Sequence, residues 1–112
     1  MLNRSAVIIG HAPAFYGWLK TTGLDDAHIA SRRETAERAV YLVPACAFPE
    51  EAEEVVEDLF EEIFVRELRA WQPIASFWPD TADFHLFTRW FTVETIPFVD
   101  DVGRGGIAAE AK

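Results

Sequence analysis

The segment from Pro49 to Trp71 constrains the fold most. Ala52, Val55, Val56, Leu59, Phe60, Ile63, Phe64, Leu68 and Trp71 recur in it mainly at steps of three and one. That is the helical period, so the segment predicts one long helix with a single apolar face. Pro49 suits the first helical position, where its missing N–H is not needed, and Glu50, Glu51 and Glu53 meet the positive end of the helix dipole. Arg66 and Arg69 complement the opposite end.

Such a stripe must be covered, and the run before it indicates by what. Ala39 to Val43 is continuously apolar and stops at Pro44, which predicts a short strand buried on both faces and central in a sheet. A core strand then feeds the main helix.

The other side of the helix is acidic. Glu50, Glu51, Glu53, Glu54, Glu57, Asp58, Glu61, Glu62 and Glu67 stand against Arg66 and Arg69, nine acids less two bases, or −7 of the chain's formal −9. Five like-charge pairs lie four residues apart, and Glu62 with Arg66 is the one well-oriented opposite pair. At about 0.2 to 0.5 kcal/mol each, the repulsion totals roughly 1 to 2.5 kcal/mol before salt screening. Burying the large apolar side chains outweighs this at about 1.5 to 3 kcal/mol apiece, so the fold tolerates the acids without requiring them.

The 112 residues, with nine Phe and four Trp, suffice for one domain with a substantial core. We expect residues 1–102 to form it and 103–112 to be a flexible tail. The acidic balance opposes nucleic acid or an anionic membrane as partner, since both are bound through Lys and Arg. A basic protein partner fits it. One cysteine, Cys46, excludes an internal disulfide and a multi-cysteine metal site, as expected in a reducing compartment such as the cytoplasm. The N-terminal apolar run is too short for a signal peptide, and no stretch reaches membrane-spanning length.

Ser5 to Gly10 reads as a first strand, and Pro13 opens a short helix over Ala14 to Thr21 with Gly23 as its C-terminal cap. Asp25, Asp26 and Ser31 are candidate caps for a second short helix, Ser31 with Glu34 having capping-box spacing. Arg32, Arg33 and Arg38 form the basic cluster, placed to lie against the acidic helix. Pro73 and Pro79 bracket an aromatic turn, and Asp80 and Asp83 begin a helix from Thr81 with Phe84, Phe87, Thr88 and Phe91 on one face. Val93 to Val99, interrupted by Pro97, reads as an edge strand. The expected class is α+β: about three strands packed against the long helix and two or three shorter ones.

VYLVP, the EEAEEVVEDLFEEIF run ending in ELRAW, and WPDTADFHLFTRWFTVE together resemble a family of small, acidic bacterial proteins with no assigned function. The likeness spans roughly Ala39 to Asp101, with a looser match at PAFYGWL, and rests on aromatic spacing. It implies the same element order and a bacterial source, and no catalytic chemistry. Members carry an acid just after the proline of the VYLVP-like strand, where this chain has Ala45 and Cys46.

The sequence offers two candidate sites. Glu54, Glu57, Asp58 and Glu61 present a surface for a basic partner, by which the chain would act as a non-enzymatic interaction protein. Trp71, Trp78 and Trp90, with Cys46 or His85 as the reactive group, present instead a pocket for a small apolar ligand or a minor enzyme. Cys46 precedes a helix N-terminus, which stabilises a thiolate. His11, His28 and His85 show no metal-ligand spacing, and the glycines form no phosphate loop, so neither a metal nor a cofactor is expected. A monomer and a homodimer through the edge strand are both compatible with the sequence.

Overall fold

The computed structural model of the chain describes residues 3–35 and 37–103. Strand β1 (Arg4–His11) leads through α1 (Pro13–Thr21) and α2 (Asp26–Glu34) to β2 (Ala39–Pro44). After α3 (Pro49–Trp71) come a 3-10 turn (Ala75–Phe77), α4 (Phe84–Trp90) and β3 (Phe91–Ile96). This is the α+β class and the element order expected from the sequence. The tail expected over 103–112 lies outside the described residues from 104 onward.

The three strands form one antiparallel sheet in the order β2-β1-β3. The expectation that β2 is central is therefore corrected: β1 is central and β2 is an edge. A continuous apolar run does not separate a strand covered on both faces from one that leaves an apolar row in solvent. In β2, Val43 is buried and Tyr41 half-buried on the helical side, while Val40 and Leu42 are 62% and 49% exposed. In β1, Ala6, Val7 and Ile9 are all buried.

Side chains alternate along β1, and Val7 and Ile9 belong to one core with Phe15, Leu19, Ile29, Phe64, Leu68 and Phe87 from the helices. Helices and sheet are thus two layers around that core. The apolar stripe of α3 supplies Ala52, Val56, Ile63, Phe64, Leu68 and Trp71 to it, as its period requires. Pro49 takes the first turn of α3, and Gly23, at φ 84°, follows the C-cap of α1 in the left-handed region that glycine adopts without strain.

Three boundaries differ from expectation. Asp25, not Ser31, caps α2, its carboxylate accepting from the Ala27 N–H at 3.1 Å. Ser31 then falls inside the helix, and its spacing to Glu34 has no capping role. Asp83 caps α4 by accepting from Leu86 N–H at 3.1 Å, whereas Asp80 closes a turn onto Ala82 N–H at 3.0 Å, so the helix begins at Phe84 and not Thr81. β3 begins at Phe91, directly after Trp90, and ends at Ile96. The β-branched run Thr92, Val93, Thr95 and Ile96 favours strand over another helical turn, and Pro97 ends the ladder.

Candidate functional site

Glu54, Glu57, Asp58 and Glu61 are all exposed on α3. Among the described residues none of the four forms an ion pair; the acid of this helix face that does is Glu62, 3.1 Å from Arg66. The basic cluster expected against this face lies elsewhere. The Arg32 guanidinium stacks 3.6 Å from the Trp71 ring centroid and donates to the Ala70 carbonyl at 3.3 Å, at the C-terminal end of α3. It also grips the Glu37 carboxylate at 2.7 Å, and that hydrogen bond holds the Glu37 carboxyl below the ordinary range. Arg33 lies over Tyr16 at 4.7 Å. A carbonyl-rich helix end next to an indole face attracts guanidinium as strongly as exposed carboxylates do, which the sequence spacing did not reveal.

Beside the acids lies a cleft of about 590 Å³ between α3, α4 and β3. Phe48, Ala52 and Val56 form one wall, Phe84 and Phe87 another, and Val93, Thr95 and Pro97 the sheet side. Glu53 and Glu57 stand on its rim, so the cleft and the acidic face share Glu57. Ser5, fully buried, shapes the base: its hydroxyl donates to the Pro97 carbonyl at 2.8 Å and accepts from Cys46 N–H at 2.9 Å, tying the ends of β2 and β3 to β1.

Of the five pocket residues expected from the sequence, Cys46 lines this cleft, with 4% of its surface exposed. None of the three tryptophans lines it. Trp71 is buried against His11, Phe15 and Tyr16, at ring separations of 5.1, 5.7 and 5.7 Å. Trp90 is buried against Trp18 at 5.0 Å and Phe64 at 5.9 Å. Trp78, half-buried, donates its indole N–H to the Gln72 carbonyl at 2.7 Å. His85 is exposed on α4 and is not part of the cleft lining.

The structure adds a buried polar cluster. Glu67 is 3% exposed and faces the sheet, where His11 Nε2 lies 2.7 Å from its Oε1 and the Tyr41 hydroxyl donates to its Oε2. His11 Nδ1 lies 3.1 Å from the Glu37 carbonyl. A carbonyl only accepts, so Nδ1–H is the donor of that contact. Burial, then the hydrogen bond to Glu67 and its charge, push the Tyr41 phenol above the ordinary tyrosine range. This cluster pins α3 to β1 and β2, and among the described residues no buried side-chain polar atom is left without a partner.

Among the described residues no group of three or more His, Cys, Asp or Glu is placed to hold a metal ion, and no helix is long and apolar enough to cross a membrane. No protein-family model, curated protein or solved structure matches the chain.

Proposed function

We propose that the protein binds a basic protein partner through the acidic face of α3, as a non-enzymatic interaction or regulatory protein of the bacterial cytoplasm. The observation that carries the reading is that Glu54, Glu57, Asp58 and Glu61 are exposed and, among the described residues, form no ion pair, while Glu57 also lines an apolar cleft. Like charges on one helix face repel, so a cationic surface gains both their attraction and relief of that repulsion. The cleft supplies the apolar contact that bare charges lack, and charge steering raises the rate of encounter. The free thiol of Cys46, 4% exposed, is in keeping with a reducing compartment.

The test is capture at low and moderate salt with the native chain and with a variant carrying Glu54→Gln, Glu57→Gln, Asp58→Asn and Glu61→Gln. Each captured protein is identified, purified and titrated against both forms. A basic partner whose affinity falls at least about tenfold in the variant, and falls with salt, supports the reading. A partner held equally by both forms refutes it.

A further inference from the structure

We infer that the outer edge of β3 is the recognition edge of the cleft, and that its occupant is an extended, basic segment of a partner, added as a fourth strand, with alternate apolar side chains filling the cleft. This rests on the acidic-surface reading and specifies how the partner engages.

The hydrogen-bond phase of the sheet shows which groups β3 leaves open. Ala12 N–H donates to the Trp90 carbonyl at 2.8 Å, next in register to His11 opposite Phe91. Hydrogen-bonded pairs alternate in an antiparallel ladder, so Thr92, Glu94 and Ile96 bond to β1. Phe91, Val93 and Thr95 then aim their backbone groups away from β1. The Phe91 N–H is taken by the Phe87 carbonyl. Val93 and Thr95 keep one N–H and one C=O each with no described partner, and Phe91 adds a carbonyl. Pro97, with no N–H, limits the ladder to this short stretch.

The same two residues line the cleft. Val93 and Thr95 sit opposite Ile9 and Val7, which are fully buried on the helical side. A strand paired with them therefore turns the side chains opposite Val93 and Thr95 into the cleft, where Phe48, Val56, Phe84 and Phe87 receive apolar groups. Residues between them emerge on the outer sheet face beside exposed Glu94, and a basic residue in the cleft-facing register, next after the apolar pair, turns toward Glu53 and Glu57 on the α3 side of the cleft. The pattern selected is alternating apolar and basic. A second copy of this chain is the wrong sign: with net charge −9 it sets acid against acid.

The probe is a capped heptapeptide, Lys-Lys-Lys-Val-Lys-Val-Lys, whose second residue is basic and in the cleft-facing register, with one analogue N-methylated at the valines and another at the lysines that flank them. Paired with β3, the valine amides face Val93 and Thr95 and the flanking lysine amides face solvent. We expect the parent peptide to shift the Val93 and Thr95 amide resonances and slow their hydrogen exchange. Valine N-methylation weakens binding about tenfold or more, and lysine N-methylation leaves it unchanged. Thr95→Pro, which removes an outward N–H, weakens it likewise; the methylated peptides test the same point with the protein unaltered. Binding that ignores valine methylation and leaves both amides unmoved overturns the edge pairing, while its loss in Glu53→Gln/Glu57→Gln still upholds the acidic reading. Edge signatures that persist undiminished in the four-acid variant uphold the pairing and remove the acidic reading. No shift at any peptide concentration, or protection of both amides that grows with protein concentration alone, overturns the inference.

Discussion

Tyr41→Phe removes a single hydroxyl and keeps the ring. In the native chain that hydroxyl donates to Glu67 Oε2, on a residue 3% exposed. The variant leaves a buried carboxyl oxygen without its donor, and a hydrogen bond to a charged group is worth roughly 1.5 to 3 kcal/mol. Tyr41 is itself half-buried, so some water replaces the hydroxyl, and we expect a loss of about 2 kcal/mol. For a chain of this size that lowers Tm by roughly 6 to 10 °C. Urea unfolding followed by tryptophan emission measures it, and the cycle with Glu67→Leu isolates its origin. Once the carboxyl is gone, Tyr41→Phe should be neutral or slightly stabilising. A loss below about 0.5 kcal/mol, or equal losses in both backgrounds, refutes the assignment of Glu67 as an anchor dependent on Tyr41. The same phenol sets an alkaline limit. Its folded pKa lies above the unfolded value of about 10, so the folded state retains a proton that the unfolded state releases. That stability is complete below pH 10 and declines as pH rises beyond it, by at most about 1.4 kcal/mol per unit, and Tyr41→Phe flattens the decline.

Three further outcomes are expected. Neutralising Glu54, Glu57, Asp58 and Glu61 together should leave the fold intact and raise stability by about 1 kcal/mol at low salt, shrinking as salt is added, as urea titrations at two ionic strengths will show. Phe64→Ala, at a fully buried position, should lose about 3 to 5 kcal/mol in chemical denaturation, whereas Asp83→Ala, which deletes the α4 cap, should lose only about 1. The Cys46 thiol should react slowly with a thiol reagent in the native protein and fast in urea; equal rates would mean that the floor of the cleft opens readily.

Local rules were enough to read α3, because period, proline and terminal charges agree along its length. The strand order was not legible, since β1 and β2 are both short apolar runs and only pairing distinguishes a centre from an edge. Among the site residues, the four exposed acids were readable as surface, and Cys46 as lying between a strand and a helix. The cleft was not readable, because its walls come from α3, α4 and β3, whose approach depends on tertiary packing. Glu67 was counted with the solvated acids, yet Phe60, Phe64, Glu67 and Trp71 succeed one another at steps of four, three and four. An acid in register with an apolar stripe signals burial, and His11 and Tyr41, remote in sequence, become its partners only once the sheet has formed. The arginine cluster failed for a related reason: charge counting ignored the indole and the helix end that hold Arg32.

The position of β1 sets the order in which the chain becomes safe from aggregation. The first strand made is the middle of the sheet, and it waits for Ile96 to come opposite Ala6 before its second edge is covered. Until the C-terminal third has left the ribosome, Ala6 to Ile9 present an apolar strand with a bare hydrogen-bonding edge, the usual template for misassociation. The long acidic helix is complete before β3 and keeps nascent chains apart through repulsion. Chains truncated after Trp90 should therefore aggregate through β1, and charge-neutralised chains should do so sooner even though their finished fold is the more stable.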